Sequence, residues 1–435
     1  VRARRGGMIS TAVMGTLIFF DDYANTLLVG STMRPLTDRL KISREKLAWL
    51  VDSTAAPVTT VAVISTWVGF EVGLLQDAMA KLGTETEAYS FFLQSIPFSF
   101  YPLLSLFFVY LIATTGRDYG PMLKAERRAV IDGLVLRPGS RPASDAPVDQ
   151  LGDIEDFGPL QQRAANPALA GFPILAVIVG TALGLYFDGR HKAVAQGLVN
   201  PGVREILNYA DSFAVLTWAA LIGATLAIVL AVGSRRLKLG EALDGFIEGA
   251  KSMIMAITIL VLAWSLSAVC EQLDTAGYLV GASQQILSAR LLPVVVFVLA
   301  AAVSFATGTS WGTMAILMPL VYPMGVELTA VAGLPAGISM NIHLASVSAV
   351  LAGAVWGDHC SPISDTTIMS SLASGSDHVD HVKTQMPYAM SVGAVAIAVG
   401  YLPAGFGLSP WISLALGVVL LVLLVFRLGK LPQET

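Results

Sequence analysis

The feature that most limits how this chain can fold is Trp356-Gly357-Asp358-His359-Cys360-Ser361-Pro362-Ile363-Ser364-Asp365-Thr366-Thr367, enclosed by apolar runs at 342–355 and 368–372. Two carboxylates, a histidine and several hydroxyls therefore lie at or near membrane depth. An ionisable group there costs roughly 3 kcal/mol or more on insertion scales, so it faces a bundle interior or a water-filled path and reads as functional by default. Pro362 lacks an amide hydrogen, so the carbonyl of Asp358 loses its helical donor and the helix is expected to break. Broken membrane helices offer free carbonyls and helix ends, which is how secondary transporters hold cations and substrates.

The setting is a polytopic, all-α membrane protein. Of 435 residues, 54% are hydrophobic and only 13% charged, with mean hydropathy +0.68, where a soluble domain carries about 25% charged residues. A net charge of -4 and a pI near 5.8 leave no basic surface for nucleic acid. Cys270 and Cys360 make neither a disulfide framework nor a metal set. The chain opens Val-Arg-Ala-Arg-Arg-Gly-Gly without a signal-peptide pattern, and residues upstream of Val1 are expected.

In chain order, an apolar run at 8–20 stops at Asp21-Asp22-Tyr23-Ala24-Asn25-Thr26, and a shorter one follows at 27–33. Each is too short to span alone, since a helix needs about 20 residues. Basic residues flank both sides, Arg2, Arg4 and Arg5 before and Arg34, Arg39, Lys41, Arg44 and Lys46 after, which suggests a hairpin opening to the cytoplasm. Residues 47–70 form a crossing interrupted at Asp52-Ser53-Thr54-Ala55-Ala56-Pro57, where Pro57 frees the carbonyl of Ser53. An acidic external loop is expected at 71–90, and 91–113 returns inward. Residues 117–166 read as a solvated cytoplasmic connector, and spans follow at 167–186, 213–232 and 253–269. A second hairpin is expected over 291–322, interrupted at Thr307-Gly308-Thr309-Ser310-Trp311-Gly312-Thr313 and closed by Pro319. The broken crossing at 338–372 carries the opening motif, and a charged loop at 374–385 holds His378 and His381. Spans at 386–406 and 411–426 complete the chain, with Arg427 and Lys430 putting the C-terminus inside.

The order hairpin, broken helix, plain helix thus occurs twice with opposite orientation, a mark of alternating-access carriers whose site lies at the repeat interface. The expected organisation is a first inverted repeat at 1–116, a connector at 117–166, scaffold helices at 167–290, a second repeat at 291–406 and a C-terminal helix and tail at 407–435.

Sodium wants hard oxygen ligands, and the four interruptions supply little else: Asp21, Asp22, Asn25 and Thr26; Asp52, Ser53 and Thr54; Thr307, Thr309, Ser310 and Thr313; Asp358, Ser361, Ser364, Asp365, Thr366 and Thr367. Burial raises a carboxylate's pKa whereas a bound cation lowers it, so one carboxylate holds a proton or a sodium ion but not both. The proton carrier could be Asp52, Asp358 or Asp365. His359 joins them because its ordinary pKa near 6.5 suits proton sensing, although a hydrogen bond to Asp358 or to backbone explains it equally well. Against these stand plainer readings: membrane hydroxyls bond neighbouring carbonyls, an aspartate caps a half-helix, and His343 packs. Asp21 and Asp22 point to different helix faces, so one of the two is expected to line the site. Trp311 and Trp356 read as site walls.

Taken together, the Trp356–Thr367 run, Thr307-Gly308-Thr309-Ser310-Trp311-Gly312 and Phe20-Asp21-Asp22-Tyr23-Ala24-Asn25 resemble the NhaC family of Na+/H+ antiporters, within the wider ion transporter superfamily. The resemblance implies a homodimeric carrier in the bacterial cytoplasmic membrane, with a scaffold and a mobile transport domain moving like an elevator. It implies that Asp358, Ser361, Ser364, Asp365 and Thr366 form one half of the ion site, with Asp22, Asn25, Asp52, Ser53, Thr309 and Ser310 in the other. Na+ and H+ are then the cargo, and no cofactor is expected. The family also includes carriers of small organic acids or amino acids coupled to Na+ or H+, which is the main alternative. An intramembrane aspartyl protease using Asp358 and Asp365 is a remote one, since such a pair normally comes from separate helices, and a passive channel is disfavoured by the inverted breaks.

Overall fold

The computed structural model describes residues 2–83, 87–142, 167–202, 209–252 and 288–433, with positions 206, 265, 269, 272 and 273. The chain divides into two compact units: Val1–Gly83, Phe92–Pro147 and Ala263–Thr435 form one, Thr84–Phe91 and Val148–Leu262 the other. Regular structure among the described residues is helical, with two isolated backbone bridges, Asp118 to Lys430 and Pro142 to Asp377.

The helices run in order α1 (Arg2–Leu17), α2 (Asp22–Arg39), α3 (Arg44–Asp52), α4 (Ala56–Val61), α5 (Thr66–Lys81), α6 (Ala88–Ser95), α7 (Phe100–Thr115) and α8 (Gly120–Arg127). The second unit contains α9 (Pro167–Ala195), α10 (Ser212–Gly233) and α11 (Leu239–Ser252). The first unit resumes with α12 (Leu292–Thr307), α13 (Ser310–Val331), α14 (Ala336–Cys360), α15 (Asp365–Ser374), α16 (His378–Val395) and α17 (Pro410–Leu428). Five stretches are long and apolar enough to cross a membrane: Ala289–Thr307, Ser310–Val331, Ala336–Cys360, His378–Ala404 and Pro410–Leu428. Two bent pairs, Arg44–Val61 with Thr66–Lys81 and Ala88–Phe98 with Phe100–Thr115, raise the number to seven among the described residues. The span expected at 253–269 falls almost wholly outside those residues, as do Cys270 and Glu271.

Four of the helices restart on a polar cap, whereas α4 restarts on Ala55 without one. Ser43 Oγ accepts from the amide of Lys46 at 3.2 Å, Ser65 Oγ from Val68 at 3.2 Å, Thr309 Oγ1 from Gly312 at 3.4 Å and Ser364 Oγ from Thr367 at 3.4 Å. Such caps satisfy amides that have no partner inside the helix. The break at Pro362 falls where the missing amide requires it, between α14 and α15.

Several expectations are corrected by the tertiary packing. The crossing at 47–70 breaks twice, at 53–55 and again at 62–65, with a 44° bend between the halves. The external loop expected from Glu71 is instead α5, because Trp67, Phe70, Leu74, Leu75 and Ala78 give it a buried apolar face. Glu71 itself is 1% exposed, with Thr60 Oγ1 donating to Oε1 at 3.4 Å and Oε2 unpartnered. The return over 91–113 begins at Ala88 and bends by 50° around Ile96-Pro97-Phe98.

The connector is no solvated linker at its start. Residues 117–142 fold back onto the bundle, where Lys46 pairs with Asp118, Arg4 with Glu126 and Arg128 with Glu45; 143–166 lie outside the described residues. Pro319 does not close the second hairpin, since α13 passes through Pro319 and Pro323, a tolerance that membrane helices show when neighbours cover the freed carbonyls. The charged loop at 374–385 is the first half of α16, begun by Asp377, whose carboxylate accepts from the amides of Val379 at 3.0 Å, Asp380 at 3.1 Å and Arg141 at 2.8 Å.

Gly308 ends α12 at φ +70°, and a Cβ there would stand 2.6 Å from the carbonyl oxygen of Ile363. The hairpin corner thus lies directly on the backbone of the second break. Gly308→Ala is expected to cost about 1–3 kcal/mol of stability, through strain and collision. Gly69→Ala, with nothing within 4 Å of the added carbon, is expected to leave it unchanged or raise it; thermal unfolding in detergent compares the two. Partial burial pushes the Asp377 carboxyl up, but the amides of Arg141, Asp380 and Val379 outweigh it and hold it below the usual range. A depressed carboxylate contributes stability above its unfolded pKa and loses it on acidification. Asp377→Ala should therefore cost about 1 kcal/mol at neutral pH, a difference that fades as pH falls below about 3.9.

Candidate functional site

The two proline-associated breaks meet. Asp52 ends α3 and Asp358 lies in the last turn of α14, and both are fully buried. The hydroxyl of Thr367, on α15, is shared between Asp52 Oδ2 at 3.3 Å and the carbonyl of Asp358 at 3.4 Å. That carbonyl, expected to lose its helical donor to Pro362, also takes the amide of Ser361 at 3.0 Å.

Asp52 stands at the centre of the array. Its Oδ2 accepts from Gln385 Nε2 at 2.5 Å and lies 3.4 Å from His381 Nε2, while its Oδ1 has no partner. Its backbone carbonyl lies 2.9 Å from His359 Nε2. A carbonyl can only accept, so that nitrogen carries the proton; Nδ1 then accepts the Tyr101 hydroxyl at 3.0 Å. Gln385 spends its second hydrogen on the His359 carbonyl at 2.7 Å.

Asp358 Oδ2 accepts from Thr366 Oγ1 at 2.7 Å, and its Oδ1 is buried without a partner. Having donated its one hydrogen, Thr366 Oγ1 receives Ser364 Oγ at 3.1 Å. Asp365 sits further out, on the exposed rim, accepting from the Thr366 amide at 2.8 Å and from the Tyr23 hydroxyl at 2.5 Å. The oxygens form a chain from rim to interior: Asp365, Thr366, Asp358, Thr367, Asp52.

The other expected residues divide. Asp22 is 1% exposed in the first turn of α2 with both oxygens unpartnered, whereas Asp21 accepts from Thr66 Oγ1 at 3.2 Å. Asn25 stitches backbone together, its Nδ2 reaching the carbonyls of Gly15 at 2.6 Å, Ile18 at 2.9 Å and Thr54 at 2.9 Å, while its Oδ1 is free of partners. Ser53 is buried at the end of α3. Ser361 Oγ bonds the Phe305 carbonyl at 2.9 Å. Thr309 is occupied in capping α13, and Ser310 is buried beside it. Thr26, Thr307 and Thr313 each bond a carbonyl four residues back, the plainer reading of a membrane hydroxyl. His343 packs against Thr329 at 2.8 Å. Trp311 packs in an aromatic cluster, its ring 4.5 Å from Phe70 and 5.6 Å from Trp67.

Sequence reasoning missed His381, Gln385 and Tyr101, and undervalued Thr367. Far from belonging to a polar loop, His381 is fully buried beside Asp52. Its signal was the spacing of His381, Gln385 and Tyr388, which places three polar groups on one helix face. Tyr388 continues that face to Asp118, which also pairs with the fully buried Lys46. No group of three or more His, Cys, Asp or Glu side chains among the described residues is arranged to hold a metal ion. A bound cation here would draw on hydroxyl, amide and carbonyl oxygens beside one or two carboxylates.

Residues 58–406 match the model of the Na+/H+ antiporter family. The chain belongs to that family. It is 34% identical over 433 residues, 99% of this chain and 77% of the relative, to an uncharacterized protein of Haemophilus influenzae. An uncharacterized Na+/H+ antiporter of the same organism is 32% identical over 142 residues, 33% of this chain and 28% of that protein. An arginine/ornithine antiporter of Halobacterium salinarum is 27% identical over 246 residues, 56% of this chain and 43% of its own length. No solved structure matches the chain. Antiporter membership and the apolar helices make this a multi-pass membrane protein and a secondary transporter rather than an enzyme, which removes the aspartyl protease reading. In this antiporter Thr366 bridges the two carboxylates, its hydroxyl donating to Asp358 and its amide to Asp365.

Thr367→Val keeps the side-chain shape and deletes the hydroxyl that joins the two breaks. It is expected to cost about 1–3 kcal/mol, the penalty for a buried acceptor left short of a donor. Chemical denaturation of the purified protein would measure the loss.

Proposed function

We propose that this protein exchanges Na+ for H+ across the bacterial cytoplasmic membrane by alternating access. The observation that carries this reading is a pair of buried carboxylates at helix breaks, Asp52 and Asp358, each with one unpartnered oxygen; the Thr367 hydroxyl joins the Asp52 carboxylate to the Asp358 backbone carbonyl, and Thr366 holds the Asp358 carboxylate. A buried carboxylate is costly unless a cation or proton meets it. Na+ and H+ therefore compete for the same oxygens, and each side of the membrane unloads one and loads the other.

In this reading Asp358, Ser361, Ser364, Asp365 and Thr366 form one half of the ion path, and Asp22, Asn25, Asp52, Ser53, Thr309 and Ser310 contribute the other. Asp52 and Asp358 carry the exchange, Asp365 and Tyr23 receive ions at the rim, and Asn25 keeps the first break open. His359, with both nitrogens engaged, orients Asp52 rather than carrying the proton. The repeats at 1–116 and 291–406 form the moving part of an elevator, helices of 167–290 its scaffold in a homodimer, and the C-terminal residues face the cytoplasm. The likeness to an arginine/ornithine antiporter supports a second reading, in which the cargo exchanged for the cation is an amino acid or small organic acid.

Proteoliposomes holding a pH gradient separate the two. Na+ alone is expected to collapse the gradient. Asp52→Asn and Asp358→Asn should each slow that flux by about a hundredfold, the order given by losing a charged ligand worth about 3 kcal/mol. The apparent KM for Na+ should rise as pH falls, by up to about tenfold per unit for one-for-one competition. Flux that appears only with an added amino acid or organic acid would sink the Na+/H+ reading in favour of the second.

A further inference from the structure

A cleft of about 370 Å³ lies between the ends of α1, α7 and α17, far along the chain from either helix break, lined by Arg5, Thr114, Thr115, Arg117, Phe426 and Leu431. None of its lining residues is acidic. Asp118, next to Arg117 in sequence, is neutralised by Lys46, and Glu126 by Arg4. Arg5 Nε is buried without a hydrogen-bond partner. Arg117 gives one N–H to the carbonyl of Gly429 at 2.9 Å and lays its guanidinium over the Phe426 ring at 5.5 Å. That leaves most of its five donors unspent.

The walls are fixed. Backbone bonds of 3.0 and 2.9 Å between Asp118 and Lys430 hold the chain after α17 against the chain after α7. At the end of α7 the two hydroxyls turn back onto the helix, Thr114 Oγ1 to Tyr110 O and Thr115 Oγ1 to Leu111 O, each at 2.7 Å, and the Gly116 amide bonds Ile112 O at 2.8 Å. Beside the cleft α17 exposes Leu416, Val419, Leu420 and Leu423, an apolar track suited to an acyl chain.

We propose that this cleft binds a phosphate group, supplied by the headgroup of an anionic phospholipid of the surrounding membrane. Two guanidinium groups present the planar N–H fork that matches phosphate oxygens, and basic clefts between membrane helices hold anionic headgroups in this way. The site is separate from the Asp52–Asp358 array and stands whether or not the cargo is sodium.

The test is thermal unfolding of the full chain in neutral detergent with added phosphatidylglycerol, phosphatidylcholine or inorganic phosphate. Phosphatidylglycerol is expected to raise the midpoint saturably and phosphatidylcholine to have little effect. In R5Q/R117Q half-saturation should require about thirtyfold more phosphatidylglycerol, the factor two arginines near a charged surface contribute. R5K/R117K should recover part of the response, and R39Q, an exposed arginine on α2, should behave as wild type. An unchanged response in R5Q/R117Q, or an equal loss in R39Q, overturns the site. Inorganic phosphate matching the lipid overturns the lipid as its source. Should the double variant not fold, native mass spectrometry of the wild type decides: retained phosphatidylglycerol in preference to phosphatidylcholine supports the site, and equal retention overturns it.

Discussion

The structure depends on one rule of apolar surroundings: a carbonyl released from a helix must find another donor. At the two central breaks most of the donors are side chains. His359 answers Asp52, Asn25 answers Thr54, Gln385 answers His359, His378 answers Pro362 at 2.7 Å, and Thr367 with the Ser361 amide answers Asp358. The same bonds that make the breaks tolerable bring α3, α14, α15 and α16 to one place. Carboxylates that would be costly separately become a shared, partly satisfied array, with spare oxygens for an ion.

A second, charged layer supports the first. Lys46 lies on α3 with Asp52, and Tyr388 on α16 with His381 and Gln385; both bind Asp118. The Lys46 ammonium also rests 4.8 Å from the Trp49 ring and 5.4 Å from that of Tyr388, so its charge meets both a carboxylate and aromatic faces. A fully buried ion pair is weak evidence for stability by itself, but losing one partner leaves an uncompensated charge. The pair therefore couples the spacing of α3 and α16 to the segment after α7, and with it the seat of Asp52 between them.

Much of this was legible in the residues. The break at Pro362 follows from a missing amide hydrogen, and oxygen-rich interruptions within apolar runs marked Asp52, Asp358, Ser364 and Thr366. Glu71, His381 and Gln385 were not legible, because acidic and basic residues near a run's end look the same whether they face water or a buried partner. Pro319 misled for a related reason: proline ends a helix only when nothing nearby covers the carbonyls it frees.

By itself the sequence determined that the chain is a bundle of apolar helices, that it breaks between Asp52 and Pro57 and at Pro362, and which hard-oxygen groups sit at those breaks, since hydrophobic length and proline chemistry are local properties. Only the tertiary structure decided that the two breaks face each other through Thr367, that Asp365 lies at the rim while Asp358 is deep, and that α16 contributes His381 and Gln385. Those outcomes depend on which distant side chain reaches each freed carbonyl, a competition among residues up to hundreds of positions apart that no local pattern records.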